Sequence, residues 1–135
     1  MITSLATQNA SAYPAIRYVA TTGSNAGNHC TDIENPCLTI THAISQVVGG
    51  DEIQIARGTY IENLFITLDL TLRGAGMGKT ILDGGNSDRV IYIDTENYAV
   101  NIYDLTVRNG STAYAGGGIA DFSDDTLTLP SLDRA

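Results

Sequence analysis

The sequence predicts an all-β chain wound as a three-faced parallel β-helix of about two to three turns, with an amphipathic helix capping its N-terminal end. Three observations predict it. First, residues 53–109 break into short β-prone pieces that each end close to Gly or Asn: Ile53-Gln54-Ile55, Leu70-Thr71-Leu72, Thr80-Ile81-Leu82 and Leu105-Thr106-Val107. Such pieces are too short for a sandwich but suit a coil that stacks on itself. Second, the pieces fall into families that recur in constant order, as a solenoid requires. Third, the composition favours strands: Ile, Leu, Val and Thr are plentiful, there are 7 Tyr and no Trp, and 14 Gly occur without a collagen-like period.

Composition also sets limits. A chain of 135 residues suffices for one domain with a core. Net charge is −8 and the basic residues are scattered singly, which argues against nucleic acid and anionic membranes as partners. No apolar run reaches the roughly 18 residues that would span a bilayer. Only 16% of residues are charged, so Thr, Ser and Asn must cover the surface, a common look for extracellular proteins. The N-terminus lacks the apolar core of a signal peptide.

In chain order, residues 1–16 show no helical or strand period and are expected to form an extended arm. Residues 17–135 form the β-helix domain. Arg17-Tyr18-Val19-Ala20 reads as a short strand ended by Thr22-Gly23-Ser24-Asn25. The polar loop that follows holds both cysteines, Cys30 and Cys37, and a pair closing such a loop reads as a local disulfide in an oxidising compartment. Two free thiols, or a zinc site that borrows His29, are the alternatives. Leu38–Val48 carries apolar residues at helical spacing, with Thr39 or Thr41 to cap its start and Gly49-Gly50 to stop it. An amphipathic segment of that length is expected to lie on the open end of the coil.

From Asp51 to Leu129 the chain reads as turns of the coil. Ile53–Ile55 aligns with Thr80–Leu82 and Gly117–Ile119. Leu64–Ile66 aligns with Val90–Ile93 and Thr126–Leu129, and Leu70–Leu72 aligns with Leu105–Val107. Alternate side chains point inward and stack in columns, while Gly and Asn supply the corners with positive φ.

The stretches Arg17-Tyr18-Val19-Ala20-Thr21-Thr22-Gly23, Asn35-Pro36-Cys37-Leu38-Thr39-Ile40 and Gly50-Asp51-Glu52-Ile53-Gln54-Ile55-Ala56-Arg57-Gly58-Thr59-Tyr60 resemble the start of pectin-lyase-like right-handed parallel β-helix proteins. Downstream, Leu70–Gly76, Ile81–Gly85, Leu105–Gly110 and Gly116–Ile119 are similar to bacterial surface proteins with repeats of the polymorphic-outer-membrane-protein type. The resemblance covers roughly residues 17–129 and implies a right-handed fold, which hosts lyases, hydrolases and adhesins alike.

Against that background the chemistry is sparse. Polysaccharide lyases of this fold imply a carboxylate cluster for Ca²⁺, for which Asp83, Asp88 and Asp94 are the candidates, with Glu96, Arg89 and Lys79 nearby. The lyase motifs are not recognisable around these acids, so turn-forming and solvating roles suit them better. Asp124-Asp125 is a candidate for the carboxylate pair of a glycoside hydrolase, but no companion His or Arg-Lys motif follows it, and a loop of solvated acids suits it better. Tyr92, Tyr98, Tyr103 and Tyr114 could stack on sugars or merely fill strands. Gly74–Thr80 lacks the spacing of a phosphate loop.

The sequence reading is therefore a non-catalytic, secreted or cell-surface module with a structural or adhesive role. Residues Thr126, Leu127, Thr128 and Leu129 form an uncapped edge through which it would associate with itself or continue a longer coil. A carbohydrate-active or carbohydrate-binding fragment is the alternative. No cofactor is expected beyond possible Ca²⁺.

Overall fold

The computed structural model describes residues 14–96, 99–111, 117–121, 127–128 and 132–133. Among these described residues twelve strands and one helix are formed: β1 (Ile16–Val19), α1 (Ile40–Gln46), β2 (Glu52–Ile55), β3 (Gly58–Ile61), β4 (Leu64–Ile66), β5 (Leu70–Arg73), β6 (Thr80–Asp83), β7 (Ile91–Ile93), β8 (Val100–Tyr103), β9 (Leu105–Arg108), β10 (Ile119–Asp121), β11 (Leu127–Thr128) and β12 (Leu132–Asp133). Every pairing between them is parallel.

The strands sort into three sheets. Sheet A runs β1-β2-β5-β8-β11, sheet B runs β3-β6-β9-β12, and sheet C runs β4-β7-β10. From β2 onward the chain visits A, B and C in rotation, so β2–β4, β5–β7 and β8–β10 are three complete turns and β11–β12 begin a fourth. This is a parallel β-helix.

Period-2 alternation puts one side of every strand inside. Ile53, Leu72 and Ile102 stack in one column in sheet A, and Tyr60, Leu82 and Val107 stack in sheet B. Leu64 with Ile91 and Ile66 with Ile93 do so in sheet C. All are nearly or fully buried. Some corners turn on left-handed residues, and the shortest of these is a single residue between β8 and β9, Asp104, at φ 57°. Gly74 stands at the corresponding corner one turn earlier, where an added Cβ would run into the Asp104 carbonyl.

The N-terminal end is closed differently. Cys37 pairs with Val19 as an isolated parallel bridge, which lays the cysteine loop along the outer edge of β1. Helix α1 packs on β1, β2 and β4, with Ile40 and Ala43 buried in the core and Ile44 and Val47 against it. Beneath it, Arg17 takes the inward position that aliphatic side chains hold in later turns. Its charge is met by the fully buried Asp51 at 3.0 Å.

Several expectations need correction. The expected helix over 38–48 is shorter, Ile40–Gln46, because Thr39 is extended and caps it while Val47 leaves helical geometry. Leu38 and Val48 are consequently exposed, at 42% and 57%. The arm does not extend to residue 16: Ile16 opens β1 and the Ala15 amide donates to Asp51. Residues 1–13 lie outside the described residues.

The strand families pair differently from the expected alignment. Ile53–Ile55 pairs with β5 in sheet A, and Thr80–Leu82 belongs to sheet B between β3 and β9. Leu105–Val107 likewise lies in sheet B, and the strand that follows β7 in sheet C is β10. The alignment of Leu64–Ile66 with residues 91–93 holds. The cause was two unrecognised strands. β3 follows β2 after only Ala56 and Arg57 and reads as its continuation, and β8 precedes β9 by the single residue Asp104.

Candidate functional site

The outer face of sheet A carries the most varied chemistry among the described residues. Register places Tyr18 beside Gln54, Gln54 beside Arg73, and Arg73 beside Tyr103, one residue per turn along the axis. Glu52, Thr71 and Asn101 form a second outward row beside them. All of these side chains are half-buried. The strand pleat projects them outward because their neighbours Ile53, Leu72 and Ile102 are committed to the core.

These side chains hold one another in place. The Glu52 carboxylate accepts from Gln54 Nε2 at 2.9 Å and from Arg73 Nε at 3.2 Å. The Arg73 guanidinium lies 4.4 Å from the centre of the Tyr103 ring. A groove of about 330 Å³ runs past the first three members of the row. It is also lined by small residues where the chain leaves sheet A, Ala20, Ala56, Gly74 and Ala75, and by Ile33 and Pro36 of the cysteine loop. The lining combines an aromatic ring, an amide and a guanidinium with small apolar residues, the usual make-up of a small-ligand site.

The cysteines are joined, with S–S 2.06 Å and Cα–Cα 5.1 Å. His42 brings its ring within 4.8 Å of both sulfurs. However, the disulfide leaves no thiolate to bind zinc, and His42 Nε2 sits 2.8 Å from the Asn28 carbonyl. His29 faces Gln46 instead, at 2.9 Å.

The three acids suggested for Ca²⁺ are not gathered at one place: among the described residues, the only cluster of three or more His, Cys, Asp or Glu ligand atoms is Cys30, Cys37 and His42. Asp83 ends β6 in sheet B and spends its oxygens on the Gly85 amide at 2.8 Å, Arg108 Nε at 3.0 Å and Asn109 Nδ2 at 2.9 Å. Those donors, the Gly85 amide first and then Arg108, hold its carboxyl below the usual carboxylate range. Asp88 accepts from the Arg89 amide at 2.7 Å, and Asp94 is exposed just past β7.

Of the other residues named from sequence, Tyr92 lies on the outer face of sheet C, edge-on to Phe65 at 5.3 Å and beneath Arg89. Tyr103 ends the sheet A row. Leu127 and Thr128 form β11, whose backbone pairs with β8. Tyr98, Tyr114, Asp124, Asp125, Thr126 and Leu129 lie outside the described residues. The sequence reading missed Tyr18, Gln54, Glu52 and Arg73 as a group, because only the register between turns brings them together. No helix among the described residues is long and apolar enough to cross a membrane.

No family model matches the sequence, and no curated protein does. Solved structures do. A pectin methylesterase of Erwinia chrysanthemi superposes with a TM-score of 0.52 at 18% identity, over 87% of this chain and 45% of that one. A pectin methylesterase in complex with a hexasaccharide gives a TM-score of 0.51, again at 18% identity and with the same coverage. The shared property is the fold. It is the right-handed parallel β-helix that the sequence resemblance implied. The chain spans less than half the length of these structures.

Proposed function

We propose that this chain is a carbohydrate-binding β-helix module that holds a glycan in the groove along sheet A, and that its role is adhesive rather than catalytic. The observation that carries the reading is the row Tyr18, Gln54, Arg73 and Tyr103, which presents two aromatic rings, an amide and a guanidinium in line. Aromatic rings take the C–H faces of a sugar, and planar polar groups take its hydroxyls. A row along the axis suits an extended chain that crosses the strands. Two further facts support it: the solved structures of this fold act on pectin by their names, and the disulfide fits an oxidising, extracellular setting.

The adhesive choice rests on the carboxylates. Hydrolysis of a glycosidic bond commonly uses two flanking the scissile bond. Among the described residues this face offers Glu52, already ion-paired to Arg73. Titration with neutral and acidic oligosaccharides is the test. Binding should weaken by about tenfold in Tyr18→Ala and remain within about twofold in Phe65→Ala, which removes the exposed aromatic of sheet C. Equal losses in the two variants, or release of shortened or unsaturated product, would defeat the reading.

A further inference from the structure

The groove's electrostatics narrow the class of glycan, on the footing that the groove is a glycan site. One guanidinium lines it, Arg73. Its Nε edge faces the Glu52 carboxylate at 3.2 Å, and one of its faces covers the Tyr103 ring at 4.4 Å. Glu52 is steadied in turn by Gln54 at 2.9 Å. The positive charge that would attract a ligand carboxylate is thus neutralised, and one edge of its donor fork is taken.

The surroundings add negative charge. Ile33 in the groove lining is flanked by the exposed acids Asp32 and Glu34, and the exposed Arg57 next to the lining residue Ala56 offsets one of them. The whole chain carries −8, so a polyanion approaches against a repulsive field. A neutral chain meets no such barrier, and the rings and amide need no charge on their ligand.

We propose that the groove selects an uncharged glycan and rejects a polyuronate, because the Glu52 carboxylate already occupies Arg73. An oligogalacturonate and its fully methyl-esterified form differ in charge on one backbone and make a matched pair of probes, with cellohexaose and xylohexaose as further neutral chains. Titration calorimetry on the full chain should show a neutral probe binding about tenfold tighter than the free acid at low salt. Raising salt from about 20 to 200 mM should leave the neutral probe unchanged and improve the free acid by screening repulsion. Glu52→Gln should raise affinity for the free acid about five- to tenfold relative to that for the neutral probe, the ratio being the readout because Glu52 also holds Gln54 and Arg73 in place.

Tighter binding of the free acid to the native protein, weakening with salt, would overturn the inference while leaving the glycan site standing. An unchanged ratio of free-acid to neutral affinity in a folded Glu52→Gln would overturn the role given to Glu52. Binding of none of the four probes would count against the glycan site itself, and the selectivity would fall with it.

Discussion

The N-terminal end of this β-helix and its regular turns reach order by different means. In the turns from β2 to β9, one simple rule repeats: alternate aliphatic side chains stack in columns, and each backbone pairs with the next turn. At the N-terminal end the rule stops, because the last inward layer would otherwise face water. That end is instead closed by specific contacts, each made once. Arg17 meets Asp51, a disulfide ties Cys30 to Cys37, and the Glu62 carboxylate accepts the Ile40 and Thr41 amides at the start of α1, at 2.9 and 2.8 Å. In the turns the loss of one side chain opens a cavity in a single column. At the end it leaves a buried polar group without its partner.

Asp51→Ala should produce the largest effect. Its carboxylate accepts from the Ala15 amide, the Val48 amide and two nitrogens of Arg17. Removing it strands a buried guanidinium, and a loss of about 3–5 kcal/mol is expected in a denaturant titration. A loss below about 1 kcal/mol would mean that the end is no more specifically built than the turns.

Next in size is the disulfide. The two cysteines are 7 residues apart, so the closed loop is small and a Cys30→Ser, Cys37→Ser double variant should lose about 2–3 kcal/mol. Hydrogen exchange should locate the damage in β1 and the cysteine loop, where the Tyr18 and Ala20 amides bond to Cys30 and Cys37 carbonyls, and should leave β6 and β9 protected. Uniform loss of protection would erase the contrast.

The smallest effect sits within the turns. Tyr60 is inward in β3, where burial, with help from the Glu62 charge, pushes its phenol up to about 12, and its hydroxyl donates to the Ala56 carbonyl at 2.8 Å. A raised folded-state value means the protonated phenol stabilises the fold fully below pH 10 and loses that contribution as pH rises toward 12. Thermal melts should therefore show the native chain losing on the order of 1 kcal/mol across that window. Tyr60→Phe should decline less steeply there, and identical slopes would exclude Tyr60 as the cause.

The same contrast explains what could be read from sequence. The turns were legible as an architecture because inward aliphatics and outward polar residues alternate visibly in pieces such as Ile53-Gln54-Ile55. Their pairing was less legible, since the pieces resemble one another and pairing depends on corner lengths, as at Asp104 and Ala56-Arg57. The disulfide was readable because its partners lie close in the chain. Arg17–Asp51 and Glu62 at the start of α1 were not, because the partners are far apart in sequence and carry no motif. The row beside the groove was hidden for the same reason: Tyr18, Gln54, Arg73 and Tyr103 come from four separate strands and meet only through register.

The central claim is that this row holds a glycan, and a structure of the chain with a bound neutral hexasaccharide tests it most directly. The sugar chain is predicted to lie along the axis over sheet A, with a ring against Tyr18 and hydroxyls at Gln54. A saccharide seated instead on Phe65 and Tyr92 of sheet C would contradict the account.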